Sequence, residues 1–186
     1  MDVFTAFGLS ASAGLNAYIP LLIVALVARF TNLIELASPW DALTSWWVIG
    51  LLVLLSVVEF FADKVPAINH ANDVIQTVIR PAAGAIVFAA SAKVVTDIHP
   101  VLAMAAGLLI AGGVHVAKAV AVRPAVTATT AGAGNVAVSI LEDIVSTVLS
   151  ILAVVVPVLI AALVIILTAW VVWWLWRRAN RERLVK

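Results

Sequence analysis

The chain has no cysteine. Disulfides, thiolate metal centres and a cysteine nucleophile are excluded, and the redox compartment cannot be read. Charge is scarce: 11% of the 186 residues are Asp, Glu, Lys or Arg, against about a quarter in soluble domains. A water-facing surface could not be covered with so little, so a soluble binding module is excluded. The net charge of +1 gives no bulk attraction for nucleic acid. HExxH, GxSxG and DDxxD-type signatures are missing, so no enzyme motif is present and no cofactor is implied. The opening "MDVFTAFGLS" lacks a basic region and carries Asp2 instead. It reads as the start of a membrane helix rather than a secretory leader, despite the "ASA" at 11–13.

What is present is apolar: 65% of residues, with a mean hydropathy of +1.18. A crossing helix needs about 20 such residues. Roughly five spans are expected, near 5–30, 45–63, 72–96 (interrupted at Pro81), 100–121 and within 138–177. The last block is too long for one crossing, since 40 helical residues would reach about 60 Å. Pro157 divides it, and two topologies fit: one long helix that protrudes outward, or, as the favoured expectation, a re-entrant or broken-helix segment at 126–156 entering from the outer side with 157–177 as the fifth crossing. The fold class is all-α: a polytopic transmembrane helix bundle, 1–177, followed by a basic cytoplasmic tail, 178–186. That tail, with Lys93 and Arg29, sets the cytoplasmic side and leaves the N-terminus outside. The seven tryptophans then lie at the cytoplasmic interface, where indoles are favoured.

Polar residues collect toward the other side. Five acids (Glu59, Asp63, Asp73, Glu142, Asp143) accompany four bases (Lys64, Arg80, Lys118, Arg123), with His70 and His115 beside them. A lone charge at the bilayer centre costs about 2.5–3.5 kcal/mol. These groups must therefore face one another, water or a ligand. Asp73, Gln76, Thr77 and Arg80 share one helix face, and Asp143, Ser146, Thr147 and Ser150 repeat the pattern. The two stretches, "NDVIQTVI" and "EDIVSTVL", each follow an apolar helix ending in lysine, Lys64 or Lys118. That is the signature of an internal repeat, a device transporters use to build a site near broken helices. "SASAGLN" and "TTAGAGN" form a fainter echo.

"SASAGLNAYIPLL", "EFFADKVPAINHANDVIQTVIRPAAGA" and "HVAKAVAVRPAVTATTAGAGN…SILED" together resemble the bacterial membrane family catalogued as domain of unknown function 4126. The resemblance implies a small protein of a bacterial inner membrane and brings no activity, substrate or catalytic residue with it.

Three functions are weighed from the residues. The first is a transporter or channel for a small ion or polar solute. Asp73 and Asp143 would serve a cation or proton, Arg80, Lys118 and Arg123 an anionic group, and Asn16, Thr129 and Asn135 would be neutral ligands. Glu59, Asp63, Lys64, His70, Thr77, His115 and Glu142 complete the candidate pathway. The second is a scaffold or regulatory subunit whose charges are structural pairs. The third is a metal-dependent intramembrane enzyme using the acids with His70 and His115, its metal unspecified. The lipid bilayer is the expected partner. Small-residue faces, "AAGLLIAGG" among them, are candidate homo-oligomer contacts.

Overall fold

The computed structural model describes residues 3–64, 66–91 (66–71 as backbone only), 98–155, 173 and 177. The His70 side chain, Lys93, Pro157 and the tail 178–186 lie outside the described residues. All regular structure among the described residues is helical: α1 Val3–Leu15, α2 Tyr18–Phe30, a short 3₁₀ turn Trp40–Thr44, α3 Trp46–Ala62, α4 Pro66–Ser91, α5 Pro100–Ala117, a π-turn Lys118–Val122, α6 Arg123–Thr130 and α7 Gly134–Val155.

The first expected span is two helices. Pro20 has no N–H for the carbonyl of Asn16, four residues back, and its ring would strike that carbonyl. The helix therefore stops at Asn16. The Asn16 side chain caps the next one, its Oδ1 accepting from the backbone N–H of Tyr18 and of Ile19 at 3.1 Å each. Each half has 13 residues, about 20 Å, short of the roughly 30 Å hydrocarbon core.

The halves run in opposite directions. Ala6 packs with Phe88, Ala89, Ala103 and Trp40, so α1 begins at the end of the bundle where α4 finishes and α5 starts. At the far end of α2, Arg29 stacks over Trp46 at 4.2 Å, Phe30 packs edge-on against the same ring, and Arg29 Nη1 donates to the Thr44 carbonyl. Trp46 opens α3, whose other end carries Glu59 to Arg80. The N-terminal 28 residues of the described chain thus enter, turn at Asn16 and leave by the same end. The described fold thus has a pair of short antiparallel helices at its start. Val3 and Arg29 share an end of the bundle, where the sequence reading puts a crossing between them.

The remaining helices alternate. We call the Trp46 end the tryptophan end and the opposite one the polar end. α3 rises to the polar end, α4 descends, α5 rises and α7 descends. Pro81 does not interrupt α4. Residues Pro100–Thr130 form 31 continuous helical residues, about 46 Å. Thr130 Oγ1 accepts from Gly134 N–H at 2.9 Å, and Ala131 and Gly132 take positive φ of 51° and 88° to reverse the chain. α7 then has 22 unbroken residues, about 33 Å, the length of a full crossing rather than of a re-entrant limb.

Three helices, Asn72–Ser91, Pro100–Thr130 and Gly134–Val155, are long and apolar enough to cross a membrane. The partition of side chains agrees. Leu54, Phe61, Val74, Val78, Leu109 and Val120 are exposed, while Glu59, Gln76, Arg80, His115 and Lys118 are buried. A soluble domain arranges the reverse; this is the build of an integral membrane protein. Along α4 and α5 the inner surface grades between small and polar residues. On α5 the buried residues are Ala103, Gly107, Ala111 and His115, a stripe of period four. A Cβ at Gly84 or Gly107 would collide with the facing backbone of α5 or α4, and one at Gly14 would lie 2.5 Å from the Ala111 carbonyl oxygen. The small residues expected to mediate oligomer contact are in this measure spent inside the chain, though Gly113 faces open space.

Candidate functional site

The polar half of the bundle is an ion-pair network with Arg80 at its centre. Arg80 is fully buried. Its Nη2 donates to Glu59 Oε1 at 3.0 Å and lies 3.6 Å from Asp63 Oδ2, while Nη1 is 3.4 Å from His115 Nδ1. The other His115 nitrogen meets Thr77 Oγ1 at 3.2 Å. α3, α4 and α5 are thereby joined through one guanidinium, whose five donors suit several acceptors at once.

A second group is organised by the π-turn. Pro124 cannot donate to the carbonyl of Val120, and the helix widens before it, Arg123 N–H bonding to the Lys118 carbonyl. In a regular α-helix residues five apart stand about 140° apart. The wider turn brings Lys118 and Arg123 to the same side, where both approach Glu142 Oε2, at 2.6 and 3.7 Å. That oxygen is held by charge, since neither contact has hydrogen-bond geometry. Arg123 also pairs with Asp73 and lies 3.7 Å from Asp63. Asp63 accepts further from Asn72 Nδ2 at 2.5 Å and from Ser139 Oγ at 3.4 Å.

The third group ties the turn between α1 and α2 to α7. Asn16 Nδ2 donates to Asp143 Oδ1 at 3.0 Å, and Lys64 Nζ donates to Asp143 Oδ2 at 3.1 Å. Lys118 Nζ also reaches the Leu15 carbonyl at 3.4 Å, one of those left open where α1 stops. Below the tip, Ser12 Oγ contacts Ser146 Oγ at 2.8 Å and Ser150 Oγ at 2.6 Å, and Ser10 Oγ donates to the Gly84 carbonyl.

Above the network a cleft of about 920 Å³ opens at the polar end. Asp63, Lys64, Asp73 and Arg123 line it together with Thr127, Asn135 and apolar residues of the α6–α7 turn.

Of the expected pathway residues, Asn16, Glu59, Asp63, Lys64, Asp73, Thr77, Arg80, His115, Lys118, Arg123, Glu142 and Asp143 are brought together. Asn135 stands at the cleft wall, bonded to Thr127 at 3.0 Å. Thr129 does not join them: its hydroxyl returns to the carbonyls of Ala125 and Val126 in its own helix. The two repeated stripes do not face each other. Glu59 and His115 meet the stripe of α4, whereas that of α7 meets Ser12 and Asn16 of α1. Ser12, Gln76, Ser139, Ser146 and Ser150 also belong to this polar interior, beyond the candidate pathway residues expected from the sequence. Their helical spacing carried the signal, but hydroxyls inside apolar helices are ordinary enough to be passed over.

No curated protein and no solved structure matches this chain. The family model described as "Domain of unknown function (DUF4126)" matches residues 3–178. With nearly its whole length accounted for, the chain belongs to the DUF4126 family.

Proposed function

We propose that the protein carries a small ion or polar solute across the membrane, along the axis between the polar-end cleft and the tip of the α1–α2 hairpin. The observation that carries this reading is the hairpin: two half-length helices meeting at Asn16 inside a buried polar network. Broken backbone at membrane depth is tolerated where protein or a wet cavity surrounds it, and in transporters such breaks mark the binding site. The Arg29 and Trp46 end faces the cytoplasm in this reading, with the cleft outside.

The test is flux in proteoliposomes loaded with pH-, sodium-, potassium- and chloride-sensitive dyes, with uptake of labelled phosphate and small carboxylates alongside. Wild type is expected to raise at least one flux at least tenfold over empty liposomes. Lys64→Asp combined with Asp143→Lys is expected to keep the folded protein and lose that flux. No flux from folded wild type for any of these solutes overturns the proposal.

One observation favours a second reading, that of a scaffold: each of the nine inner charges has an opposite charge within 4 Å. A scaffold would keep both fold and cellular phenotype in the Lys64/Asp143 exchange. Asp73 and Arg80 are not a suitable pair for such an exchange, because Asp73 is bonded to Arg123. No specific observation favours the enzyme reading: His115 is bonded to Arg80 and Thr77, and among the described residues no three His, Asp or Glu side chains are grouped so as to hold a metal ion.

A further inference from the structure

The ion pairs of the core can be assigned one to one. Arg80 takes Asp63, Arg123 takes Asp73, Lys118 takes Glu142, and Lys64 takes Asp143. Four bases thus match four acids, and Glu59 is left over. It could change places with Asp63, since both touch Arg80, or with Asp73 if Arg123 takes Asp63, but the Asp73 side chain is 29% exposed at the cleft and stays ionised in contact with water. The hydrogen bonds decide between Glu59 and Asp63. Asp63 accepts at both oxygens, from Asn72 at Oδ1 and from Ser139 at Oδ2, with Arg80 and Arg123 beside it. Donors at both oxygens favour a carboxylate anion. Glu59 accepts from Arg80 at Oε1 alone, and its Oε2 is buried without a partner; the oxygens of Glu142 also lack a hydrogen bond, but that carboxylate has two cations, Lys118 and Arg123, within 4 Å. The side chain is 1% exposed. An ionised oxygen with no donor in so dry a place is among the costliest groups a protein can hold.

We propose that Glu59 carries a bound proton and is the proton-binding group of the core. A proton on Oε2 turns a stranded acceptor into a hydroxyl donor, leaves Oε1 to accept from Arg80, and brings the inner charges to zero. A second acceptor is in want of a donor: Gln76 Oε1, one helical turn from Arg80 on α4, is also buried and unpartnered. The charged and titratable groups around Glu59 are Asp63 at the end of its own helix, Arg80 on α4, Tyr18 on α2, Asp143 on α7 and, through Arg80, His115 on α5. This assignment rests on pairing and burial and is independent of whether a solute crosses.

The experiment is infrared spectroscopy of the full chain in lipid nanodiscs at neutral pH, in light and heavy water. Wild type is expected to show the carbonyl band of a protonated carboxyl, shifted by deuterium. Glu59→Gln is expected to lose it and Asp63→Asn to keep it. Should Glu59→Gln fail to fold, Glu59→Asp serves instead and is expected to move the band. A wild type without such a band, or a band untouched at position 59, overturns the proposal. Flux measured on the same preparations separates the two ideas: a band without flux defeats transport alone, and flux without a band defeats the proton site alone.

Discussion

Arg80 and Lys64 show how burial sets the worth of an ion pair. Arg80 is wholly enclosed and holds Glu59, Asp63 and His115 together. Removing one member of a buried pair strands its partners and costs about 3–5 kcal/mol. Arg80→Met is therefore expected to lower the detergent unfolding temperature steeply or to abolish folding. Lys64, 15% exposed in its pair with Asp143, can draw on water at the cleft. Lys64→Met is expected to cost about 1 kcal/mol or less. Thermal unfolding of both variants in the same detergent checks the ordering; equal losses would deny Arg80 its central place. Most of these side chains could be named from the sequence because ionisable residues are rare in so apolar a chain. Their partners could not, because any of five acids might have met any of four bases.

At the scale of elements, two prolines shape the site. Pro20 ends α1 at Asn16, and Pro124 widens the helix so that Lys118 and Arg123 both reach Glu142. Asn16 then has two tasks, capping α2 and bonding Asp143. They can be separated. Asp caps a helix about as well as Asn, and losing a cap costs roughly 1 kcal/mol. If Asn16 only capped, Asn16→Asp would be neutral and Asn16→Ala harmful. Because Asp143 Oδ1 stands 3.0 Å from Asn16 Nδ2, a carboxylate there meets another carboxylate. Asn16→Asp is therefore expected to unfold at a lower temperature than Asn16→Ala, and the reverse order would show that the bond to Asp143 is idle. The spacing of α4 and α7 was readable, since Asp, polar, Thr and polar residues recur on one face of each. The break in the first apolar run is not legible in the sequence, because a mostly apolar stretch of 26 residues satisfies the length of a span whether or not it runs straight.

For the whole molecule, the hairpin makes a claim about sides. The absence of native cysteine lets single cysteines be introduced without background. Phe4→Cys and Thr31→Cys are expected to react with a membrane-impermeant maleimide from one side of sealed vesicles, and Thr129→Cys from the other. Labelling of Phe4→Cys and Thr31→Cys from opposite sides would mean that residues 3–30 cross, and the re-entrant fold would be wrong.

Composition by itself determined that this chain lives in a bilayer, that it is helical, and that its few charges must shelter from lipid. Each follows from a free-energy cost that is local to a residue: hydrocarbon supplies no hydrogen bonds and poorly solvates charge. Periodicity added which side chains share a helix face. Tertiary structure alone decided where the chain reverses, that α1 packs on the stripe of α7 but not on that of α4, and which acid meets which base. Those outcomes depend on how closely Gly14, Gly84 and Gly107 let helices approach. They depend also on the directions in which Pro20 and Pro124 send the backbone, and both act between segments far apart in sequence. Glu59 as the acid without a base of its own emerges only when all nine charges are placed together.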